Sequence, residues 1–212
     1  MTPALPRIAG YQLPTASEVP AARVPWQPER LRVALLIHDM QNYFVGAFGD
    51  PEPIHDVIAN IAALRSHCDA KDVPVFYTAQ VGDQDQRDRG LQRYFWGPGM
   101  PAANRQPEIV PELAPQVNHY VLEKWRYSAF QRTTLEERMR ARGRDQLIVC
   151  GVFAHIGVLT SAADAFMRDI EPFVAADGVA DFSREKHDLA LTYAAGCCAV
   201  PLTTAALIES LR

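Results

Sequence analysis

The chain has 212 residues, 48% of them hydrophobic, and a formal net charge of −4. That supplies apolar material for a substantial core in one large domain or two small ones. The mild acidity and the lack of any basic block leave no electrostatic footprint for nucleic acid, and no apolar run approaches the roughly 20 residues that cross a bilayer.

Residues 1–30 read as an extended N-terminal arm. Pro3, Pro6, Pro14, Pro20, Pro25 and Pro28 interrupt it, each fixing φ and removing a ladder donor. The same stretch is polar and holds no signal-peptide core. Tyr11, Leu13, Val24 and Trp26 give the arm an apolar side that would lie on the domain surface or on a second subunit.

Residues 31–212 read as one α/β domain. Val33 to Ile37 is a near-continuous apolar run rich in branched residues, as expected of a strand buried on both faces. It stops at His38-Asp39, then passes Phe44 and Phe48 to a turn at Gly49-Asp50-Pro51. Val57, Ile61, Leu64 and Cys68 place an amphipathic helix over Asp56 to Lys71. Val73 to Gln80 is the second strand. The polar stretch GDQDQRDRG and then YFWGPGM follow as an ordered loop, with a Gly97-Pro98-Gly99 turn. Tyr120 to Glu123 is a third strand. Thr134 with Glu137 fits a capping box, and Gly143 a helix end. Gln146 to Phe153 is the fourth strand, followed by a helix from Val158 to Arg168. Pro172 to Asp177 is the fifth. Ser183 is placed to cap a helix running to Ala194 and closed by Gly196. CCAVPL begins a sixth strand, and Thr203 or Thr204 opens the last helix. Strands alternating with helices imply parallel βαβ units.

The four cysteines are Cys68, Cys150, Cys197 and Cys198, with no CxxC pair. Three lie in apolar segments, so free thiols in a reducing cytoplasm are the simplest account. HExxH, Walker and GxGxxG patterns are absent, which removes the usual metal and nucleotide signatures. The chain keeps only three lysines, Lys71, Lys124 and Lys186, among 21 basic residues.

In a parallel sheet every strand delivers its carboxyl end to one edge, where open α/β sheets hold ligands. Asp39, Gln80, Lys124 and the Phe153–Gly157 turn fall at such ends. Singly, each type has a commoner structural use. Asp39 would cap a helix, Lys124 would sit on the surface and His155 would be a hydrogen-bonded structural histidine. Phe44, Trp96 and Tyr127 would be core, and Arg89, inside a charge run, would be solvated. Their convergence favours a site. A covalent hydrolase on this sheet would carry Cys or Ser at the strand-to-helix turn, but the turn reads Ala154-His155-Ile156-Gly157 and Cys150 lies inside the strand. What remains is an acid, a cation and room for a bound anion.

LLIHDMQNYF, VFYTAQ, FWGPGM, EKWRYSAF, CGVFAHIGVL, DAFMRDI and VADFS, in that order over nearly the whole chain, resemble the isochorismatases of the isochorismatase-like, or cysteine-hydrolase, superfamily. The resemblance implies a three-layer α/β/α sandwich on a six-stranded parallel sheet and a homodimer. It also implies hydrolysis of a vinyl ether in a small dicarboxylate, with no metal and no cofactor. The family's acid matches Asp39, its lysine Lys124, and the glycine replacing the superfamily cysteine matches Gly157. Substrate-contacting positions match Gln80, Arg89, Trp96, Tyr127 and Phe44. Phe153 stands where relatives carry Tyr, which bears on substrate preference. The implied substrate is isochorismate, as in catecholate-siderophore synthesis, or 2-amino-2-deoxyisochorismate, as in the phenazine branch. An amidase of the superfamily and a non-catalytic docking protein are the rival readings. An adjacent lysine lowers a carboxylate's pKa, so Asp39 is expected to be ionised when the site is empty and to gain its proton with the substrate.

Overall fold

The computed structural model describes residues 5–49 and 51–212, so Asp50 of the expected turn and Pro3 of the arm lie outside the described residues. Six strands form a single sheet: β1 (Val33–His38), β2 (Val75–Ala79), β3 (Tyr120–Glu123), β4 (Gln146–Val152), β5 (Glu171–Ala180) and β6 (Val200–Leu202). All pairings are parallel, in the spatial order β3-β2-β1-β4-β5-β6. The helices are α1 (Asn42–Val45), α2 (Ile54–Ala70), α3 (Gln86–Arg89), α4 (Gln92–Trp96), α5 (Leu135–Arg140), α6 (Leu159–Phe166), α7 (Arg184–Cys197) and α8 (Thr204–Ser210). Among the described residues no helix is long and apolar enough to cross a membrane.

Strand side chains alternate between faces, and β1 shows how the layers follow. Val33, Leu35 and Ile37 pack with Val57, Ile61 and Leu64 of α2 and Leu207 of α8. Ala34 and Leu36 pack on the other side with Leu135 and Met139 of α5, Ala162 and Ala165 of α6, and Leu191 of α7. Every residue of β1 is buried. Each such Leu, Ile or Val contributes roughly 1.5–3 kcal/mol by leaving water, so the central strand is anchored from both faces.

The strand order reverses between β1 and β4. That is the topological switch point, where the chains leaving two neighbouring strands turn to opposite faces and leave a crevice at their carboxyl ends. A register shift in β4 against β5, between Val149 and Gly151, sits beside it. Such irregularities re-aim side chains at sheet ends. It also lets β5 run on through Gly178 to Ala180, past the Asp177 end expected from the apolar run.

Some local signals resolve differently. Gly196 does not end α7, because Cys198 N–H still bonds the Ala194 carbonyl and the helix continues to Cys197. The Thr134 capping box does not form; the Thr134 hydroxyl accepts from Arg138 Nε at 2.8 Å instead. Ser183 and Thr203 do cap α7 and α8. Gly143 stands in the turn after α5 at φ +63, where a side chain would be strained. The stretch expected as a loop holds two short helices, α3 and α4. The arm packs on its own domain: Ile8 is buried beside Phe48, and the Tyr11 hydroxyl accepts from Asp181 N–H at 2.8 Å.

Candidate active site

The apolar run of β1 ends because the chain turns sharply at Asp39, whose φ is +51. Asp tolerates this left-handed conformation better than most residues. The turn is held by Asp39 N–H, within bonding reach of both the Thr78 carbonyl and its hydroxyl at the end of β2. Asp39 caps no helix. The residue is 4% exposed, and its two carboxylate oxygens have different company. Oδ1 accepts from Thr78 Oγ at 2.7 Å. Oδ2 faces Lys124 Nζ at 3.0 Å and Gln80 Nε2 at 3.3 Å.

Lys124 follows β3, with its N–H on the Ala79 carbonyl of β2, and is 2% exposed. Gln41 is fully buried and clasps the end of β2: its side-chain oxygen accepts from Gln80 N–H, and its amide donates to the Gln80 carbonyl, both at 2.8 Å. Three strand ends are thus tied together, which brings residues 39, 80 and 124 to one point.

Burial pushes the Asp39 carboxyl up. His38, Lys124 and the Thr78 hydroxyl outweigh that and hold it below its ordinary range. His38 is itself pushed down by burial, against the upward pull of Asp39. A ring left neutral in this way carries no charge, so Lys124 is the neighbour that keeps Asp39 ionised.

Arg89 is buried at 5% exposure rather than solvated. Its Nε donates to the Gly97 carbonyl at 2.7 Å. Burial presses its guanidinium downward, with Tyr43 and Tyr127 pulling the other way, but a guanidinium stays charged in proteins. Among the described residues no carboxylate pairs with it. Gly99, at φ +99, lies where a Cβ would crowd Arg89 Nη1 at 2.7 Å, so the Gly-Pro-Gly turn is shaped around this cation. Trp96 Nε1 donates to the Tyr127 hydroxyl at 2.8 Å, leaving the phenol proton free for a ligand.

The opposite wall is apolar. The Phe153 ring lies 4.4 Å from Phe182 and 6.0 Å from Phe44 between centroids. After Phe153 the chain makes a π-helical turn, Ala154–Val158, a conformation frequent at functional sites. Buried Asp181 anchors the turn, accepting from His155 N–H at 2.6 Å and from His155 Nδ1 at 2.7 Å. His155 is therefore a structural histidine. Cys150 is buried in β4, bonded to the Leu36 carbonyl, and its thiol is pushed well above its ordinary value.

Asp39, Lys124, Gly157, Gln80, Arg89, Trp96, Tyr127, Phe44 and Phe153 all line one cavity. The space between these residues, open mouth included, is about 590 Å³. His38, Tyr43, Phe182 and Leu5 also line the cavity, beyond the residues that the sequence singles out. His38 and Tyr43 stand in the same ten-residue stretch as Asp39, which is their signal; Leu5, in the arm, has none. Among the described residues no group of His, Cys, Asp or Glu gathers as metal ligands.

An open parallel sheet with a mixed-charge cavity at its switch point defines the class: an α/β enzyme acting on a small molecule. Comparison narrows this. A family profile described as the isochorismatase domain matches residues 33–206. The isochorismatase of Bacillus subtilis is 51% identical over 210 residues, covering 99% of this chain and 67% of that protein. The phenazine biosynthesis protein PhzD1 of Pseudomonas aeruginosa is 48% identical over 206 residues, covering 97% and 99%. The crystal structure of a cysteine hydrolase from Pseudomonas syringae superposes with a TM-score of 0.80 at 25% identity, covering 90% and 96%. The chain belongs to the isochorismatase family and is a hydrolase.

Proposed function

We propose that this chain hydrolyses the vinyl ether of isochorismate, giving 2,3-dihydro-2,3-dihydroxybenzoate and pyruvate, with Asp39 as the general acid. The observation that carries the reading is the charge arrangement of the cavity. Asp39 and Lys124 are paired at 3.0 Å, while Arg89 is buried with no carboxylate partner among the described residues. A buried cation without a counter-ion calls for an anionic ligand.

The charges also account for the proton. Asp39, Lys124 and Arg89 leave the empty cavity with one net positive charge. A ligand bearing two carboxylates turns this into one net negative charge. A proton on Asp39 restores neutrality. Binding therefore raises the carboxyl that Lys124 holds down, both by added negative potential and by expelling water. Arg89 and Gln80 orient the carboxylates, and the wall of Phe44, Phe153 and Phe182 receives the ring.

The chemistry then needs one acid. The Asp39 Oδ2–H proton passes to the terminal methylene carbon, making a methyl group and an oxocarbenium ion. Water adds to the cationic carbon and returns a proton to the Asp39 carboxylate. The resulting hemiketal breaks its C–O bond, releasing pyruvate and the ring alcohol. No step requires a nucleophilic side chain, in keeping with glycine at 157. An amidase mechanism through a thiol has no sulfur at that turn, and Cys150 is sealed in the sheet. A non-catalytic docking role leaves the buried Asp39–Lys124 pair without a purpose.

The test is pyruvate release from isochorismate by the purified chain; no release above the uncatalysed rate ends the reading. A second substrate, 2-amino-2-deoxyisochorismate giving trans-2,3-dihydro-3-hydroxyanthranilate, is favoured by the near-complete coverage of the phenazine biosynthesis protein. The ratio of kcat/KM for the two compounds decides between them. We further propose that the chain acts as a cytoplasmic homodimer.

A further inference from the structure

The His38 ring occupies an unusual place. It is 1% exposed and stands directly over Gly157. A Cβ built on Gly157 would overlap the ring at Cε1, and would lie 2.6 Å from Nε2 and 3.1 Å from Nδ1. Gly151, at φ +107, makes the matching room below: a Cβ there would overlap the His38 carbonyl oxygen and lie 2.9 Å from its nitrogen. Two glycines thus accommodate one histidine, one its ring and the other its backbone. The ring cannot simply swing away. Nδ1 lies 2.8 Å from the Val152 carbonyl and Nε2 3.3 Å from the Tyr127 carbonyl. The neutral ring has a single N–H, which donates to the nearer Val152 carbonyl, and the imidazole sits between the ends of β1 and β4 and the segment after β3. Those segments carry Asp39, Gly157 and Tyr127 respectively.

We propose that His38 is a positioning and specificity-determining residue, a plug that fills the volume a nucleophile at 157 would need and so commits the site to acid catalysis. The inference rests on the reaction proposed above for its consequence, though not for its geometry. His38 Nδ1 is 3.8 Å from Asp39 Oδ2, beyond hydrogen-bond distance. The ring thus acts on Asp39 through space-filling and the tied strand ends rather than through a shared proton. Gly157 is not among the glycines at positive φ, so an L residue is not excluded there by its backbone angles, and the imidazole is the group its side chain would meet.

His38→Asn separates these roles. The asparagine amide nitrogen takes the place of Nδ1 and keeps the bond to the Val152 carbonyl, while the far half of the ring is removed. Gly157→Cys is made with His38 intact and again together with His38→Asn. Both full-length chains are treated with iodoacetamide, and the peptide containing residue 157 is read by mass spectrometry. Alkylation at 157 should be at least about tenfold faster in the double variant, as coupled neighbours behave non-additively. A Gly157→Cys chain that folds only alongside His38→Asn supports the proposal equally. Equal alkylation in both chains, or alkylation in neither, overturns it. In the reaction itself, Gly157→Ala should lower kcat at least about tenfold with His38 present and less than about twofold after His38→Asn; equal losses overturn the proposal as well. Failure of the wild-type chain to release pyruvate would strike the reaction assignment alone, because the alkylation readout does not depend on turnover.

Discussion

The cavity has two unlike walls. The wall from the ends of β1, β2 and β3 is polar and is made of side-chain atoms: Asp39, Gln80 and Lys124, held by Thr78 and Gln41. The wall from the end of β4, the π-helical turn and the segment after β5 is apolar and offers shape rather than charge: Phe153, Gly157 and Phe182. In the first wall each reactive atom has neighbours within hydrogen-bond distance that set its charge. In the second, glycine keeps space open and packed rings fill it. Substitutions in the polar wall should therefore cost rate, and those among the rings of the apolar wall should alter which ligand is preferred; Gly157, where a side chain would displace His38 beside Asp39, is the exception.

The largest effect is expected at Asp39. Asp39→Asn keeps the volume and the left-handed turn but removes the transferable proton. General acid catalysis of this kind contributes about 10²–10⁴-fold, and kcat should fall by at least that factor while a non-reacting analogue still binds. The pH profile sharpens the point. The Asp39 carboxyl lies below its ordinary range in the free protein, so under the proposed mechanism the productive complex must hold one more proton than the free enzyme. The value of kcat/KM should then fall about tenfold per unit as pH rises through neutrality, and titration calorimetry in buffers of different ionisation enthalpy should show proton uptake with the analogue. For stability the sign runs the other way. A carboxyl lowered by folding stabilises the native state above its unfolded value, and that contribution is lost as pH falls through the lowered value. A flat kcat/KM across neutrality would break the assignment of Asp39.

Next comes Arg89, which belongs to the polar set though it arrives from α3. Arg89→Gln keeps a donor and removes the charge. Hydrogen bonds to charged groups contribute about 1.5–3 kcal/mol, so kcat/KM should drop roughly 10–150-fold, mainly through KM. A loss confined to kcat would move Arg89 from ligand binding to the chemical step.

The two walls also differ in how far they could be read from residues alone. Asp39, Gln80 and Lys124 are legible because each stands at the carboxyl end of an expected strand, and the parallel sheet supplies the third dimension. Arg89 looked like a solvated charge on local grounds; the glycines at 97 and 99 fold a turn around it, and only the resemblance singled it out. The apolar wall was legible as an absence, glycine where a nucleophile would stand. What fills that space was hidden, since His38 and Gly157 lie on different strand ends and no local pattern relates them. The same limit explains Gly196, which ends a helix by propensity yet is carried through by the α7 bond from Cys198 to Ala194. The Leu5 contribution to the cavity depends on the arm folding back, with Ile8 N–H on the Ala47 carbonyl at 2.8 Å, and that pairing has no signature of its own.

The smallest effect is expected from Phe153→Tyr. The ring is packed against Phe182 at 4.4 Å, Phe44 at 6.0 Å and Phe48 at 6.2 Å, and is 6% exposed. A phenolic oxygen added here lengthens the ring within a wall otherwise free of polar side chains, and it must either reach the ligand or remain without a partner. Unpartnered, it costs about 1–3 kcal/mol of stability and leaves turnover alone. Bonded to the ligand, it improves whichever ring substituent it meets, by about 1 kcal/mol or a few-fold. The ratio of kcat/KM for the hydroxyl and amino substrates reads this directly. A shift of up to about tenfold in the ratio, with kcat on either substrate nearly constant, is what a wall that governs preference should give. A large fall in kcat on both substrates would mean that Phe153 supports the Asp39 chemistry itself, and the division between the two walls would not hold.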